Sequence, residues 1–476
     1  MNDRAYDPLC GGSPVEIAEI AEFRAIGALA TNGNSANSTI STPPPCRPAS
    51  PSPVPPIHQA AYPTDSVLED FMAFARAYSE SEDAMLIGAV LPVVSRLLAR
   101  RVSIRFAGRK YPNIYTLLVT KPGLRKSTNI RLVEKLGRDL LSSDAFLGGA
   151  TSEQALFKQY QANPDRLLIE EEGNTVLSNW LSDAAGKVVA KRFLRLYDCA
   201  SWQQDYIRQM GEEGGALQRI EETSTSLLIG TTFNNCRFHG LETRDGMRRR
   251  VCYYVSEDFA RTIHWPPELD GAAYGRLVEA FRPLAEVAGE MALTRGARAL
   301  WNELQDRNRD EIRAIHDIDS AAEAYGSALA EEQSKTLKFA MLFEACRWAL
   351  DPTGHFGEIR RDTLKLAAEH GRYCLAAGRA LDAIGNRSEI RDKADSILAK
   401  IRTEWARAAT PINGGCIELT RTQLTSRFAP NPERAGAMTP ARLYNEILPD
   451  LIKRGLAREL PREGGKGRVY QFAAGE

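Results

Sequence analysis

Leu117-Leu-Val-Thr-Lys-Pro-Gly-Leu-Arg-Lys-Ser-Thr128 is the stretch that decides how this chain folds. It begins inside a continuous apolar run, Ile114-Tyr-Thr-Leu-Leu-Val-Thr120, of the kind found in a parallel strand buried on both faces. A Pro-Gly pair ends the run, and Lys126-Ser-Thr128 opens a helical pattern that reaches Leu141. A phosphate-binding loop needs this order of strand, tight loop and helix start. Backbone N–H groups at the helix N-terminus meet phosphate oxygens, a lysine reaches the β and γ oxygens, and a hydroxyl holds Mg²⁺. Against G-x-x-x-x-G-K-[ST], Gly123, Lys126 and Ser127 fit, while Thr120 and Arg125 stand at the two glycine positions. Arg125 either replaces lost backbone contacts with a charge or weakens nucleotide binding. The plain alternative is a helix start that happens to read Lys-Ser-Thr. On the loop reading, Pro122, Gly123, Leu124, Arg125, Lys126, Ser127 and Thr128 cradle ATP, and Ser127 also ligates Mg²⁺.

The next signal downstream is Asp165-Arg-Leu-Leu-Ile-Glu-Glu-Glu-Gly173, an apolar strand that ends in three carboxylates. An acidic pair at such a strand end organises Mg²⁺ and polarises the attacking water. Glu170 takes the first role and Glu171 the second, although Asp is usual where Glu170 stands. A solvated acidic turn is the alternative. A third strand, Ser226-Leu-Leu-Ile-Gly-Thr-Thr-Phe-Asn-Asn235, ends in small polar residues. In RecA-like and AAA-like ATPases such a strand lies between the two motif strands and offers a polar sensor. Thr231, Thr232 and Asn234 are the candidates, with Thr232 assigned to the nucleotide. Arg244-Asp-Gly-Met-Arg-Arg-Arg-Val251 then leads into a further strand. One of Arg248, Arg249 and Arg250, with Arg249 preferred, would reach a neighbouring subunit's nucleotide and stabilise transition-state charge. A solvated basic turn or a DNA-facing loop is the alternative.

Together these segments resemble the P-loop family known as domain of unknown function 3987, found in replication modules of phages, plasmids and integrated elements. The residues that carry the resemblance are 112–119, Pro-Gly-Leu-Arg-Lys-Ser (122–127), Leu-Leu-Ile-Glu-Glu-Glu-Gly (167–173), Leu-Leu-Ile-Gly-Thr-Thr (227–232) and Asp-Gly-Met-Arg-Arg-Arg (245–250). Leu337-Lys-Phe-Ala-Met-Leu-Phe343 resembles the family's C-terminal helical region. The resemblance spans roughly residues 65 to 385. It implies a RecA-like, helicase-like ATPase that works beside primases. The Arg-Lys-Ser form of the loop is common in that family, which makes Arg125 a family trait. The family's Asp-Glu pair is Glu170-Glu171 here, which alters the metal geometry.

Outside this core the organisation changes. Residues 1–63 read as a disordered tail. A short helical pattern (Val15 to Ala28) precedes Pro43 to Pro63, which holds nine of the chain's 25 prolines. Order begins near Thr64-Asp65 as a helix cap, and a buried helix spans Asp83 to Arg100. Strands at Val102 to Phe106, Tyr115 to Val119, Arg166 to Ile169, Ser226 to Ile229 and Val251 to Val255 alternate with helices. That alternation implies an α/β parallel sheet over 64–265. Residues 266–390 read as mostly helical, including Arg361 to Ile384. In 391–476, a helix (Ala394 to Ala408), a strand (Cys416 to Leu419), two more helices (Thr420 to Phe428, Thr439 to Gly455) and a glycine-rich hairpin follow a winged helix-turn-helix order. Its wing carries Arg462, Lys466 and Arg468 for DNA phosphates, and Arg442 starts the recognition helix beside Thr439 and Asn445. A winged helix used for protein contacts is the alternative.

Lysine plus arginine number 61, as do aspartate plus glutamate, so the chain is formally neutral and not a uniformly basic nucleic-acid coat. The neutrality averages unlike parts: the tail carries −2 and residues 391–476 carry +5. The eight cysteines show no Cys-x-x-Cys spacing, which reads as reduced, mostly structural thiols. No signal peptide and no membrane span is expected, because the most apolar segment, Ala84 to Leu98, is short and contains Arg96. These features favour a cytoplasmic, DNA-associated, helicase-like ATPase. It would be homo-oligomeric if an arginine acts in trans, with a primase or polymerase as a further partner. Two alternatives stand beside it. One is a non-hydrolysing DNA-binding initiator or regulator; the other is an adaptor that tethers a primase or polymerase through the tail.

Overall fold

The computed structural model describes residues 62–148, 152–173, 175–177, 184–204, 218–233, 236, 246–265, 267–314, 320–407, 416–429, 438–461 and 468–473. The expected helix in the tail and nearly all of the proline-dense stretch lie outside the described residues.

Helix α1 (Val67–Tyr78) is capped by Ser66, not Thr64 or Asp65: the Ser66 Oγ accepts from the Leu68 N–H at 3.3 Å. Helix α2 (Asp83–Leu98) is buried at every residue from Ala84 to Ser95, as its apolar composition predicts. Strands β1 (Val102–Arg105) and β2 (Arg109–Lys110) then lead into β3 (Tyr115–Thr120), all six of whose residues are buried. Helix α3 (Lys126–Leu140) follows the Pro-Gly loop. Next come α4 (Glu153–Ala162), β4 (Asp165–Glu170) and α5 (Ala184–Tyr197). A small antiparallel pair, β5 (Trp202–Gln204) with β6 (Gln218–Ile220), precedes β7 (Ser224–Thr232). The single-turn helix α6 (Met247–Arg250) leads directly into β8 (Val251–Ser256).

Strands β4, β7, β3 and β8 form one wholly parallel sheet in the order β4-β7-β3-β8. The strand read as polar-ended, β7, therefore does lie between the Lys-Ser-Thr strand and the acidic strand. Helix α2 packs on β3, β7 and β8. Its Gly88 fits closely there, and a Cβ at that position would run into the Tyr254 ring. The register sets Thr120 beside both Thr232 and Ser256, so β3, β7 and β8 end level at one edge of the sheet. Glu170 closes β4 at the same edge, opposite Ile229.

Three expectations need correction. First, β1 does not join the parallel sheet. It pairs in parallel with β9 (Gly289–Leu293), which pairs with β10 (Glu358–Ile359), giving a second sheet in the order β10-β9-β1-β2. The stretch 266–390 is therefore not only helical. β9 escapes notice because Gly-Glu-Met-Ala-Leu has no β-branched residue, and β10 has only two residues. Helices α7 (Gly271–Phe281) and α8 (Arg295–Arg313) flank β9, and α9 (Ser320–Trp348) precedes β10.

Second, α10 (Arg361–Arg407) is one helix of 47 residues where two were expected, and it runs through the expected boundary at 390. Gly385 and Asn386 suggest a break, but each costs at most about 1 kcal/mol inside a helix, which packing at both ends outweighs. Leu364, Ala367 and Ala377 belong to the main core, whereas Ala394, Ile397, Leu398 and Ile401 belong to a separate C-terminal core. Third, the helix expected over Thr439 to Gly455, with Ile452 on its apolar face, buries Leu443, Ile447, Leu448 and Leu451 but leaves Ile452 exposed at 36%.

The C-terminal core also contains β11 (Cys416–Thr420), α11 (Arg421–Phe428), a helical segment α12 over 440–453 with a π-helical turn at Leu443–Ile447, β12 (Ala457–Pro461) and β13 (Arg468–Ala473). The strands form an antiparallel sheet in the order β11-β13-β12. A capping box holds the start of α11, with the Thr420 and Gln423 side chains each bonded to the other's backbone N–H. Cys199, Cys236, Cys252, Cys346 and Cys374 are free thiols. Among the described residues, no helix is long and apolar enough to cross a membrane.

Candidate functional site

Ligands of open parallel sheets collect outside the carboxyl ends of the strands. At that edge a cleft of about 650 Å³ is lined by Thr120 to Ser127, by Thr232, and by Glu80 and Phe259. Gly123 lies at φ +90° and Arg125 at φ +56°, both in the left-handed region. Glycine favours such positions because it lacks a Cβ. For Arg125 the conformation costs about 1–2 kcal/mol. Arg125 is the N-cap of α3, and no side chain caps the helix there.

Lys126 is held down. Its Nζ donates to the Glu171 backbone carbonyl at 2.5 Å. Burial pushes its ammonium below the usual lysine range, against the opposing pull of Glu171, Glu172 and Glu170. The side chain passes over β7 at Gly230. A Cβ at Gly230 would sit 2.6 Å from Ile130 Cδ1, 2.8 Å from Lys126 Cδ and 3.1 Å from the Glu171 carbonyl oxygen. Ser127 lines the cleft next to Lys126, and Thr232 lines it from β7.

The acidic strand end meets this lysine through its backbone. The Glu171 carboxylate turns to Arg131 on α3, with Nε to Oε1 at 2.9 Å. Glu170 Oε1 accepts from the Glu172 N–H at 3.2 Å, which shapes the turn after β4. Both Glu170 and Ser127 offer hard oxygen donors of the kind Mg²⁺ prefers.

Several residues here were not legible in the sequence. Glu80 joins three segments: its carboxylate pairs with Arg125 Nε at 2.8 Å and accepts from the Ile263 N–H at 2.9 Å. Its carbonyl accepts from the Ala260 N–H at 2.9 Å. Lys121 Nζ donates to the Glu257 carbonyl at 2.8 Å, tying the loop after β3 to the loop after β8. Arg131 is one turn along α3 from Ser127, a spacing that flags it only once Glu171 is known to lie opposite.

Other predicted residues lie apart. Arg248, Arg249 and Arg250 precede β8, at the opposite end of the parallel sheet from the cleft, about 17 Å away along the six residues from Val251 to Ser256. Arg249 is half-buried and donates to Ser327 Oγ at 3.4 Å, while Arg250 pairs with Asp198 at 2.8 Å. None of the three can serve this chain's own cleft. In the C-terminal core, Arg442 pairs with Glu446 at 3.2 Å and Arg468 with Glu459 at 2.9 Å. Arg462, Lys466 and Asn234 lie outside the described residues.

In comparisons with known proteins, no family model matches the chain and no curated protein matches it.

Proposed function

We propose that the chain is a DNA-associated P-loop ATPase of RecA-like, helicase-like type with a C-terminal winged helix. One observation carries this reading: Lys126 and Ser127 open a helix straight out of a buried parallel strand, and β7 separates that strand from the one ending in Glu170 and Glu171. This strand order and edge are compatible with a RecA-like core, and the resemblance to the replication-module family supports the reading. The Lys126 ammonium would bind the β and γ phosphate oxygens, and the N–H groups of the α3 start would donate to them. Ser127 and Glu170 would hold Mg²⁺. Bound Mg²⁺ supplies charge neutralisation on the transferring phosphoryl group. Glu171, released from Arg131, would orient and polarise the attacking water. Thr232 would sense the γ-phosphate from β7. An arginine of the 248–250 segment would act only on a neighbouring subunit, which makes a homo-oligomer part of the proposal.

The three-stranded antiparallel sheet and its helices support a winged helix whose Arg442, Arg462, Lys466 and Arg468 contact DNA. A phage or mobile-element replication role, beside a primase or polymerase, follows from the same resemblance. The test is ATP turnover with and without DNA. Wild type should hydrolyse ATP, Lys126→Ala should abolish turnover, and Glu171→Gln should bind ATP without hydrolysing it. No DNA-linked turnover in wild type would refute the proposal. The pairing of Glu171 with Arg131 favours a second reading, a DNA-binding initiator that senses nucleotide without hydrolysis. A discrete nuclease footprint insensitive to ATP and to Lys126→Ala would support that one.

A further inference from the structure

The cleft has two chemically different parts. Lys126, Ser127 and Thr232 make one part polar, and Leu124 and Phe259 bring apolar surface to it. Phe259 is 46% exposed, and among the described residues its ring stacks on no other ring. Its backbone is nevertheless fixed. The Phe259 N–H donates to Asp258 Oδ1 at 2.8 Å, the next N–H, of Ala260, donates to the Glu80 carbonyl, and Ser256 Oγ donates to the Asp258 carbonyl at 3.0 Å. The loop leaves β8 beside the loop that leaves β3, since Ser256 stands opposite Thr120. An aromatic ring on an anchored loop in a ligand cleft gains stacking energy at less ordering cost than one on a free loop.

We infer that Phe259 is the platform on which the nucleotide's base stacks, an inference that rests on the P-loop reading of the same cleft. Glu80, which also lines the cleft, has its carboxylate engaged by Arg125 and by the Ile263 N–H. With that carboxylate occupied, the contact Phe259 offers is to the face of the base. Every base has a π-face, so the platform does not distinguish adenine from guanine.

Calorimetric titration of the full chain with ATP, GTP and inorganic tripolyphosphate, each with Mg²⁺, tests this. Phe259→Ala should weaken ATP and GTP alike by about tenfold or more and leave tripolyphosphate unchanged. Phe259→Trp should restore both nucleotides. Lys126→Ala should weaken all three ligands. If Phe259→Ala leaves ATP binding unchanged, or weakens tripolyphosphate as much as ATP, the platform is refuted while the P-loop reading stands on Lys126→Ala. If wild type binds neither ATP nor tripolyphosphate, the P-loop reading fails and takes the platform with it.

Discussion

Gly230 is where the proposed chemistry and the packing of the sheet meet, so Gly230→Ala is an informative perturbation. The added methyl would lie 2.6 Å from Ile130 Cδ1, 2.8 Å from Lys126 Cδ and 3.1 Å from the Glu171 carbonyl oxygen. Ordinary carbon–carbon contact needs roughly 3.5–4.0 Å, so the first two neighbours must each move by about 1 Å. Ile130 is fully buried and has little room, while a shift of Lys126 at Cδ strains its Nζ bond to Glu171. Overpacking of this kind costs about 1–3 kcal/mol. A displaced Lys126 also loses the aim that phosphate binding requires, and losing a charge-assisted hydrogen bond of about 1.5–3 kcal/mol lowers affinity by roughly tenfold or more. The two costs can be separated. Ile130→Val deletes the atom that makes the closest contact and leaves the lysine contact in place. The double variant Gly230→Ala/Ile130→Val should therefore recover stability in urea denaturation without recovering tripolyphosphate binding in calorimetry. Wild-type tripolyphosphate affinity in Gly230→Ala, alongside the expected loss of stability, would show that Lys126 does not bind phosphate from this position.

Arg125→Gly should leave unfolding free energy within about 1 kcal/mol of wild type, because relief of the left-handed conformation offsets loss of a half-exposed ion pair to Glu80. A loss above about 2 kcal/mol in denaturant would show that the pair holds the loop more firmly than its exposure implies. Glu332 is almost fully buried on α9, and burial pushes its carboxyl up to about 7 against the pull of Arg372 and Lys335. Its folded pKa exceeds its unfolded one, so its stabilisation is complete below pH 4.5 and is lost as pH rises towards 7. The loss should reach up to about 3 kcal/mol, and Glu332→Gln should flatten that part of the stability–pH curve. For DNA, Arg468→Ala should weaken binding across sequences and lower the slope of log K against log salt by about 1. An unchanged slope would place the phosphates elsewhere.

What was legible follows a physical pattern. β3 could be read because all its residues are buried, so its apolar run has no gaps. α2 could be read for the same reason. The position of β7 between β3 and β4 was expected from the likeness to RecA-like and AAA-like ATPases, since Thr and Asn at a strand end are ordinary turn formers and do not place a strand. The site's supporting residues were illegible because tertiary contacts create them. Glu80 meets Ile263 across 183 residues, and Arg131 meets Glu171 across 40. The arginines at 248–250 were legible in a way that simple motif matching overlooks. A segment that precedes a parallel strand lies at the far edge from a loop that follows its neighbour, so chain direction alone excludes a role in the same chain's cleft. β9 and α10 went the other way, since contacts at their ends overrode weak local preferences.

The cleft's ion pairs also bear on how the proposed site would open. Arg131 is 73% exposed and Arg125 49% exposed in their pairs with Glu171 and Glu80. The Arg131–Glu171 pair is the more exposed of the two and contributes about 0–1 kcal/mol, so it can be given up at small cost, whereas Glu80 is only 13% exposed and keeps its partner more firmly. Lys126 is bound to a neutral carbonyl, and a phosphate oxygen offers a hydrogen bond roughly twice as strong. Nucleotide would therefore draw Lys126 away from Glu171, and the same residue's carboxylate is held only by the weak Arg131 pair. Because both tethers end on Glu171, filling the proposed phosphate site would also loosen the residue that the proposal assigns to the attacking water. Arg131→Ala removes one tether in advance. On this logic it raises the turnover of bound ATP and leaves tripolyphosphate affinity unchanged, and a fall in turnover would mean that Arg131 holds Glu171 in its working position.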